Sequence, residues 1–526
     1  MELQGQSLIG FDVSSRKGQP FWAVDPATAE TINPEFHAAD AHEVELAATL
    51  AQQAFRPYSR WSGKQKAGLL VRIAAAIETL GQELIDRTAL ETALPHDRLR
   101  SELARTCNQL RLFAALVEEG SWVNARIDRA DARRKPLPKP DVRSVLRPLG
   151  PIAIFGASNF PLAFSVAGGD TASALAAGNP VVVKAHPAHP GTSELVGRAV
   201  VEALAQAGAP NGVFSLLFDS GTEVGRVLVQ HPAIKAGCFT GSRAGGRALM
   251  DLAASRPDPI PFFAEMSSVN PIFVLPRAID ERAEQIAAGL YGSVGLGAGQ
   301  FCTKPGLILL EQGAGAERLS SKLGELVSAS VDHVLLTSGI HKSYKSGVAQ
   351  RANLRQVASV TRDRSGFRAA AILFETDLDS LASNAEFAAE LFGPSTTIAR
   401  YDNRDQLLRF AEGLEGHLTA TIHGTEEDLS EFADLVEILE GKVGRLVFNG
   451  YPTGVEVCHA MVHGGPCPAT SDARFTSVGT QAILRFVRPV CFQDFPDAAL
   501  PPELRNGNPL GIWRMVDGQL FRDALT

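Results

Sequence analysis

The spacing of apolar residues predicts three kinds of segment in the first 150 residues. Residues 1–40 show short strand and turn patterns, and from residue 41 to 120 apolar side chains recur at helical spacing, as in Ala67–Leu80. Between residues 131 and 151 the chain is basic and rich in proline. That composition favours an extended arm or connector over a packed helix.

Beyond residue 150, apolar runs alternate with helical patterns. Buried-strand patterns occur at Pro151–Phe155, Pro180–Lys184, Val213–Leu217 and Ala236–Phe239, and a second series begins near residue 271 and continues past residue 440. This alternation predicts an α/β protein with two doubly wound parallel-sheet domains, joined near residues 265–271. Residues 480–493 are expected to form a late strand, which would pair with the arm near 142–148 of the same or a neighbouring subunit.

Composition narrows the class of protein. A chain of 526 residues is too long for one core and indicates two or three domains. A net charge of −8 lacks the basic excess that nucleic-acid binding needs, and no apolar run is long enough to predict a membrane span. The amino terminus shows no secretory signal, and the six cysteines form no Cys-x-x-Cys pair. We therefore expect a cytoplasmic protein with no nucleic-acid or membrane partner.

Cys302 is a candidate nucleophile. It lies in the segment Gly299–Lys304, among small residues that let a ligand approach the backbone. A lone cysteine is more often an inert buried thiol, because a nucleophile needs its pKa lowered by a helix N-terminus or a cation. Lys304 could be that cation, but it could equally face solvent. No His, Cys and Asp residues have the spacing of metal ligands, so no metal is predicted.

Three further segments contain candidate functional residues. Glu265 lies in an otherwise uncharged stretch at the expected domain seam, where a desolvated carboxylate could act as a general base. Asn159 follows a predicted strand, where ligands bind in open α/β sheets, and its amide could donate to an oxyanion. Ser242, between Gly241 and Gly245, suits a pyrophosphate at a helix N-terminus. Taken singly, each residue also has an ordinary structural explanation. Glu265 could face solvent, Asn159 could form an Asx turn, and Ser242 could belong to a common glycine turn.

Six short motifs occur in one order. They are S-N-F-P at 158–161, V-V-V-K at 181–184, F-T-G-S-x-x-G at 239–245, F-A-E-M at 263–266, G-Q-x-C at 299–302 and E-x-F-G-P at 390–394. In this order and spacing they resemble the aldehyde dehydrogenase superfamily, over roughly residues 20–490. The resemblance implies that Cys302 is the nucleophile, that Glu265 is the general base and that Asn159 binds the oxyanion, with the Cys302 backbone N–H as second donor.

The same resemblance implies a cofactor site and a domain division. Lys184 would hold the adenosine ribose, Glu390 and Phe392 would lie near the nicotinamide ribose, and the phosphate-facing residues would be Gly225, Gly241, Ser242 and Gly245. Residues 1–125 and 148–267 would bind NAD(P), and residues 268–480 would form the catalytic domain. Residues 126–147 and 481–499 would form an oligomerisation arm of a homodimer or homotetramer, followed by a tail at 500–526.

One departure from the family pattern concerns the cofactor. After Lys184 the family usually has a glutamate that binds the ribose 2′-hydroxyl, whereas this chain has Pro187, with His186 beside it. Without that carboxylate a 2′-phosphate is not repelled. NADP is therefore the expected cofactor, with NAD as the alternative. Glu265 is retained, so hydrolysis of the intermediate is expected rather than transfer to coenzyme A.

Other departures concern the substrate. The segment His463–Pro468 replaces a usual Pro-Phe-Gly-Gly motif, and Leu500–Thr526 is longer than the ordinary family tail. These features resemble the branch that contains 2-oxoglutarate semialdehyde (2,5-dioxopentanoate) dehydrogenases and NADP-dependent fatty aldehyde dehydrogenases of luminous bacteria.

Arg105 favours the first of these substrates. It occupies a helical position where the family usually has an apolar residue facing the substrate, and Phe160 is assigned to the same site. An arginine can bind a carboxylate bidentately, whereas beside an alkyl chain a buried cation is costly. We therefore expect an aldehyde acid, 2-oxoglutarate semialdehyde, as the small-molecule substrate. A salt bridge from Arg105 to a neighbouring helix is the structural alternative.

Two other classes of function remain alternatives. A cofactor-free cysteine hydrolase or acyltransferase would need a histidine close to Cys302, and none is near it in the sequence. A non-catalytic relative would have no reason to keep Cys302, Glu265 and Asn159 together.

Overall fold

The computed structural model describes residues 2–359 and 365–525. Met1, Thr526 and residues 360–364, which fall inside three of the predicted domain segments, lie outside the described residues. The helices are α1 Ala41–Ser59, α2 Gly63–Thr79, α3 Gly81–Thr92, α4 His96–Glu119, α5 Gly169–Ala177, α6 Pro190–Gln206, α7 Glu223–Gln230, α8 Arg243–Ala254, α9 Pro276–Gly295, α10 Ala314–Ala329, α11 Ser338–Gln350, α12 Leu378–Ser383, α13 Ala385–Ala388, α14 Arg404–Gly413, α15 Glu426–Glu431 and α16 Ala433–Glu440.

The strands are β1 Leu8–Ile9, β2 Asp12–Val13, β3 Pro20–Val24, β4 Thr31–His37, β5 Arg126–Asp128, β6 Val142–Pro148, β7 Ile152–Phe155, β8 Val181–Lys184, β9 Phe214–Leu217, β10 Ala236–Thr240, β11 Phe262–Glu265, β12 Pro271–Val274, β13 Leu307–Glu311, β14 His333–Val334, β15 Arg355–Ala358, β16 Arg368–Ala369, β17 Ile372–Asp377, β18 Ser395–Tyr401, β19 His417–His423, β20 Val443–Phe448, β21 Val487–Gln493, β22 Arg514–Val516 and β23 Gln519–Phe521. Short 3-10 helices lie at Ser121–Val123, Leu296–Gly299, Thr480–Phe486, Asp497–Ala499 and Pro502–Leu504.

The first large sheet has the strand order β11-β10-β7-β8-β9-β1-β2. Strands β7 to β11 run parallel, and the short β1 and β2 add an antiparallel edge. The parallel strands form because each is an almost continuous apolar run, which can be buried on both faces. The prediction of a doubly wound sheet in this half is confirmed.

The second large sheet has the order β15-β17-β18-β13-β12-β19-β20. Its strands are parallel except for β15 at one edge. The first sheet ends in sequence at Glu265 and the second begins at Pro271, so the chain passes between them within the predicted seam. The general base candidate therefore lies at the last residue of the first sheet.

A third sheet combines the arm with the end of the chain, in the order β21-β6-β5-β22-β23. The predicted pairing of the late strand with the arm is present within one chain, with Val487 opposite Pro148 and Gln493 opposite Val142. The late strand is shorter than predicted, because Thr480–Phe486 is a 3-10 helix. The tail is also not separate from the arm, since β22 pairs with β5 and buries Val516 there.

No helix within the described ranges is both long and apolar enough to span a bilayer.

Candidate active site

Cys302 lies in a tight turn after helix α9. Residues 297–299 have φ angles of 58°, 59° and 67°, so the chain turns sharply through left-handed conformations. A side chain on Gly299 would lie 2.1 Å from the carbonyl oxygen of Gly393, which explains the glycine. Nδ2 of Asn270 donates to the backbone carbonyl of Cys302 at 2.8 Å. The loop of the candidate nucleophile is thus fixed to the residue that precedes the second sheet.

His463 places an imidazole between the candidate nucleophile and the candidate base. Its Nε2 lies 3.4 Å from Sγ of Cys302 and 3.1 Å from Oε1 of Glu265. The Ser477 hydroxyl donates to Oε2 of Glu265 at 2.8 Å, so both carboxylate oxygens are held. His463 and Glu265 are buried, whereas Cys302 is partly exposed. One ring nitrogen of His463 therefore contacts both the candidate nucleophile and the candidate base.

The electrostatics of this cluster favour a protonated thiol and an ionised carboxylate. Burial raises the pKa of the Cys302 thiol well above its ordinary value, and the charge of Glu265 raises it further. Burial alone would also raise the pKa of Glu265. The charge of His463 and the hydrogen bonds from His463 and Ser477 outweigh burial and leave that pKa below its ordinary value. Cys302 therefore needs a base before it can attack.

The cluster differs from a linear catalytic triad. In such a triad the histidine uses Nδ1 for the carboxylate and Nε2 for the nucleophile. Here Cys302 and Glu265 both contact Nε2, and Nδ1 of His463 is buried without a hydrogen-bond partner in the described part of the chain. The backbone N–H of His463 donates to Thr476 at 2.8 Å, which holds the residue by its main chain.

The structure brings together three groups of the kind that ligate metals. Single ligand atoms of Glu265, Cys302 and His463 all lie within 4.8 Å of one another. The sequence spacing did not indicate this cluster, because the three residues are far apart along the chain. The absence of a metal stays a prediction.

Asn159 is directed at the nucleophile loop. It is buried, and its Nδ2 donates to the carbonyl of Gln300 at 2.9 Å. Nη2 of Arg98 donates to the backbone carbonyl of Asn159 at 2.7 Å and holds the segment after β7. The amide thus reaches a point two residues before Cys302, as an oxyanion donor would.

Lys304 is neither a solvent-facing side chain nor aimed at the thiol. It is 2% exposed, and its Nζ donates to the carbonyls of Leu391 and Ser395, both at 2.8 Å. The ammonium group thereby fixes the loop that carries Glu390 and Phe392. Burial lowers the pKa of Lys304 and raises that of Glu390, and the opposite charges of the two groups partly offset both effects.

Two of the predicted cofactor residues, Lys184 and Ser242, lie at the carboxyl ends of β8 and β10, on either side of β7. Lys184 ends β8, and its Nζ donates to the carbonyl of Asp219 at 3.1 Å. Ser242 caps α8 by accepting a hydrogen bond from the Gly245 N–H at 3.2 Å, and the first turn of α8 is exposed. Such an edge is where ligands bind in open α/β sheets. An exposed helix N-terminus there fits a phosphate.

The two other glycines of this region pack against phenylalanine rings. A Cβ on Gly225 would lie 2.9 Å from the ring of Phe155, and one on Gly241 would lie 2.6 Å from the ring of Phe239. Each glycine therefore lets a helix or turn lie close to the sheet. Neither position places a side chain at this edge of the sheet.

His186 follows Lys184 by two residues and stacks on His189, with ring centroids 5.5 Å apart. Burial lowers the pKa of His186 well below its ordinary value, and the charges of His189 and Lys184 act in the same direction. The ring is therefore neutral near pH 7 and would meet a phosphate as a hydrogen-bonding group rather than as a standing cation.

On the substrate side, helix α4 packs against the segment after β7. Oε1 of Glu102 accepts the N–H groups of Leu162 and Ala163 at 2.9 and 3.0 Å. The guanidinium carbon of Arg105 lies 5.8 Å from the ring centroid of Phe160 and 5.4 Å from that of Phe164. The predicted substrate residues Arg105 and Phe160 are thus adjacent.

Two donors of Arg105 are unused. Its Nε and Nη2 are buried and have no hydrogen-bond partner among the described residues. The alternative of a salt bridge to a neighbouring helix is not observed within residues 2–359 and 365–525. Burial lowers the pKa of the guanidinium, which still remains charged at neutral pH. An unpaired buried cation of this kind suits an anionic ligand.

His463 is the functional candidate that sequence reasoning missed. It lies 161 positions after Cys302, so no local spacing connects the two. The available signal was the change of the family's Pro-Phe-Gly-Gly motif to a histidine followed by two glycines.

Comparison with known proteins shows the family of this chain. The model of the aldehyde dehydrogenase family matches residues 13–466. An alpha-ketoglutaric semialdehyde dehydrogenase 2 from Azospirillum brasilense is 47% identical over 523 residues, covering 99% of this chain and 100% of that protein. An alpha-ketoglutaric semialdehyde dehydrogenase from Acinetobacter baylyi is 46% identical, covering 95% of this chain and 97% of the relative.

Solved structures show the same fold. The lactaldehyde dehydrogenase from Escherichia coli superposes with a TM-score of 0.80 at 20% identity, covering 93% of this chain and 98% of that one. The gamma-glutamyl-gamma-aminobutyraldehyde dehydrogenase from Burkholderia cenocepacia has a TM-score of 0.79 at 22% identity, covering 94% and 97%. The chain belongs to the aldehyde dehydrogenase family.

Proposed function

We propose that this enzyme oxidises 2-oxoglutarate semialdehyde to 2-oxoglutarate with NADP. The observation that carries the substrate is the pair of unpaired donors on Arg105, next to Phe160 on the substrate side of Cys302. The two relatives, which are 47% and 46% identical to this chain, are named for the same aldehyde. A long-chain alkyl aldehyde would leave these two buried donors without a hydrogen-bond acceptor.

The first chemical step is attack by Cys302. His463, in the tautomer that carries its proton on Nδ1, accepts the thiol proton on Nε2 as Sγ adds to the aldehyde carbon, since the thiol is protonated at rest. The resulting oxyanion accepts hydrogen bonds from Nδ2 of Asn159 and from the backbone N–H of Cys302. The charge of Glu265, 3.1 Å from Nε2, stabilises the imidazolium that forms.

The second step releases the acid. The nicotinamide supplies a hydride acceptor when bound, which leaves a thioester on Cys302. Glu265 then removes a proton from the water that attacks this thioester. Its buried position excludes bulk water, and its contacts with His463 and Ser477 keep it ionised for this role.

The described residues fit a dinucleotide. The exposed first turn of α8 at Ser242 and the close-packed Gly225 and Gly241 leave room for phosphates at the sheet edge. Pro187 adds no charge that would repel a 2′-phosphate, which supports NADP over NAD. Lys184 would hold the adenosine ribose, and Glu390 with Phe392 would contact the nicotinamide ribose.

We further propose the domain division 1–125 with 148–267 for the cofactor, 268–480 for catalysis and 126–147 with 481–499 for oligomerisation. Residues 500–525 extend the arm sheet. A homodimer or homotetramer is supported by two open strand edges, β20 on the second sheet and β21 on the arm. On β20, Leu446 and Phe448 are 37% and 45% exposed, as an interface would require.

The test compares specificity constants for 2-oxoglutarate semialdehyde and decanal, with NADP and NAD, in the wild type and Arg105→Ala. We expect wild type to prefer the acid, and the variant to lose the acid about 10-fold to 100-fold with little change for decanal. Arg355→Ala, at an exposed position on the opposite edge of the second sheet, is the control. Equal losses for both aldehydes in Arg105→Ala would contradict the assignment.

A further inference from the structure

Arg445 is a second arginine with an unused buried donor near the reaction centre. Its Nη2 donates to the carbonyl of Pro452 at 2.5 Å and its Nη1 to that of Gly454 at 3.3 Å. Its Nε is buried and has no hydrogen-bond partner in the described part of the chain. A buried N–H without a partner costs free energy, so it is expected where a ligand supplies the acceptor.

The sheet places Arg445 beside the nucleophile loop. Arg445 on β20 pairs in parallel register with Thr419 on β19, so the two side chains lie on the same face. The Thr419 hydroxyl donates to Asn270 at 3.1 Å, and Asn270 donates to the carbonyl of Cys302. Burial lowers the pKa of both guanidinium groups, and the charge of a Cys302 thiolate would partly offset this effect in each, as expected for two cations near the sulfur.

The two arginines offer different donors. Nε and Nη2 of Arg105 form one side of the guanidinium fork, which matches the two oxygens of a carboxylate. Arg445 has each Nη group bonded to a loop carbonyl, so Nε is its one nitrogen without a hydrogen-bond partner among the described residues. A single donor matches one carbonyl oxygen rather than a carboxylate.

We propose that Arg445 determines specificity by donating its Nε–H to the 2-oxo oxygen of the substrate, while Arg105 binds the carboxylate. This rests on the proposed function, because only an aldehyde that is also a 2-oxo acid uses both arginines. The carboxyl carbon of such a five-carbon substrate lies about 5 Å from the aldehyde carbon when extended. Both guanidinium groups can therefore contact one end of the substrate while Cys302 attacks the other.

The test uses three aldehydes that differ by one group at a time. They are 2-oxoglutarate semialdehyde, glutarate semialdehyde, which lacks the 2-oxo group, and pentanal, which lacks the carboxylate as well. In Arg445→Met and Arg445→Lys we expect kcat/KM for the 2-oxo acid to fall about 10-fold to 100-fold, while the value for glutarate semialdehyde changes little. In Arg105→Ala both acids should fall relative to pentanal.

Arg445→Lys keeps a cation that can still bond the loop carbonyls, so it separates the loss of Nε–H from disturbance of residues 452–454. A parallel loss for all three aldehydes in both variants would show that Arg445 only holds this loop, and would overturn the inference. So would an unchanged ratio between the two acids. If instead the wild type shows no preference for acids over pentanal, the proposed substrate itself is wrong.

A binding measurement independent of turnover completes the test. We expect 2-oxoglutarate to raise the thermal midpoint of the wild type more than glutarate does, and this difference to disappear in the Arg445 variants. Arg355→Gln, at the opposite edge of the same sheet, should keep the wild-type difference. Retention of the difference in Arg445→Lys would count against the inference.

Discussion

Replacing His463 tests the role of the imidazole in activating Cys302. His463→Gln keeps a polar side chain of similar reach, and His463→Phe restores an aromatic ring without a base. Nε2 of His463 lies 3.4 Å from Sγ of Cys302, and no other histidine is described as bonded to that sulfur. Both variants should therefore leave the thiol without its nearest proton acceptor.

The size of the effect follows from the state of the thiol. A cysteine with its ordinary pKa of about 8.5 is only a few per cent thiolate at pH 7, and each further unit reduces that fraction about tenfold. In this enzyme burial and the Glu265 charge raise the pKa of Cys302 well above its ordinary value. A positioned base typically contributes about 10²-fold to 10⁴-fold, and we expect a loss of this size in the acylation rate.

The assay is the pH dependence of Cys302 alkylation by iodoacetamide, together with the burst of NADPH formation. Wild type should react at neutral pH, whereas both His463 variants should react appreciably only in alkaline solution. Cys302→Ala, which lacks the thiol, defines the background reaction at the exposed Cys467 and Cys491. An alkylation profile of His463→Gln that superimposes on that of the wild type would refute the reasoning.

The same variants should also shift Glu265. The charge of His463 is the largest factor that lowers the pKa of Glu265, and burial opposes it. Without the imidazole, burial should raise this pKa, so Glu265 becomes protonated at a higher pH. The acid limb of the kcat profile should then move upward in pH, and an unchanged acid limb would contradict this account.

Three further predictions concern other residues. Glu265→Gln removes the charge that raises the pKa of Cys302, so acylation should persist as a burst of NADPH equal to the number of active sites. Steady-state turnover should fall about 10²-fold to 10⁴-fold, and an unchanged turnover would exclude Glu265 as the base. Pro187→Glu should weaken NADP binding about tenfold or more and leave NAD binding unaffected, as measured by fluorescence titration. Equal effects on the two cofactors would argue against a 2′-phosphate near this residue. Phe448→Arg on the open edge of β20 should lower the molar mass measured by light scattering, and an unchanged mass would place the interface elsewhere.

The parallel sheets could be predicted from the sequence because buried parallel strands are apolar on both faces. Runs such as Val181–Lys184 and Phe214–Leu217 have no alternating polar positions and are bounded by turn residues. Arg105 stands out only through the family resemblance, which implies an apolar residue at that position, but the helix α4 that carries it was predictable from its apolar spacing. Local patterns of this kind depend on the backbone period alone.

Contacts between distant segments were not predictable in the same way. His463 contacts Cys302, and Arg445 is brought to the strand beside Thr419, only through the arrangement of the second sheet and its following loops, more than 140 residues along the chain from Cys302. The sequence does not indicate that the tail joins the arm, because β22 and β23 are three residues each, too short for a periodic signal. Their pairing with β5 is determined by tertiary contacts rather than by local sequence.

The position of His463 also bears on why the site would act as a dehydrogenase rather than as a cofactor-free hydrolase. A hydrolase histidine must protonate the leaving group after it has accepted the thiol proton, and a carboxylate at Nδ1 orients it for both transfers. Here the carboxylate of Glu265 shares Nε2 with Cys302, and Nδ1 has no partner among the described residues. An aldehyde has no leaving group to protonate, so one contact suffices for attack. Once the imidazolium has released the thiol proton to solvent, Glu265 no longer has to stabilise that charge and can accept a proton from the attacking water.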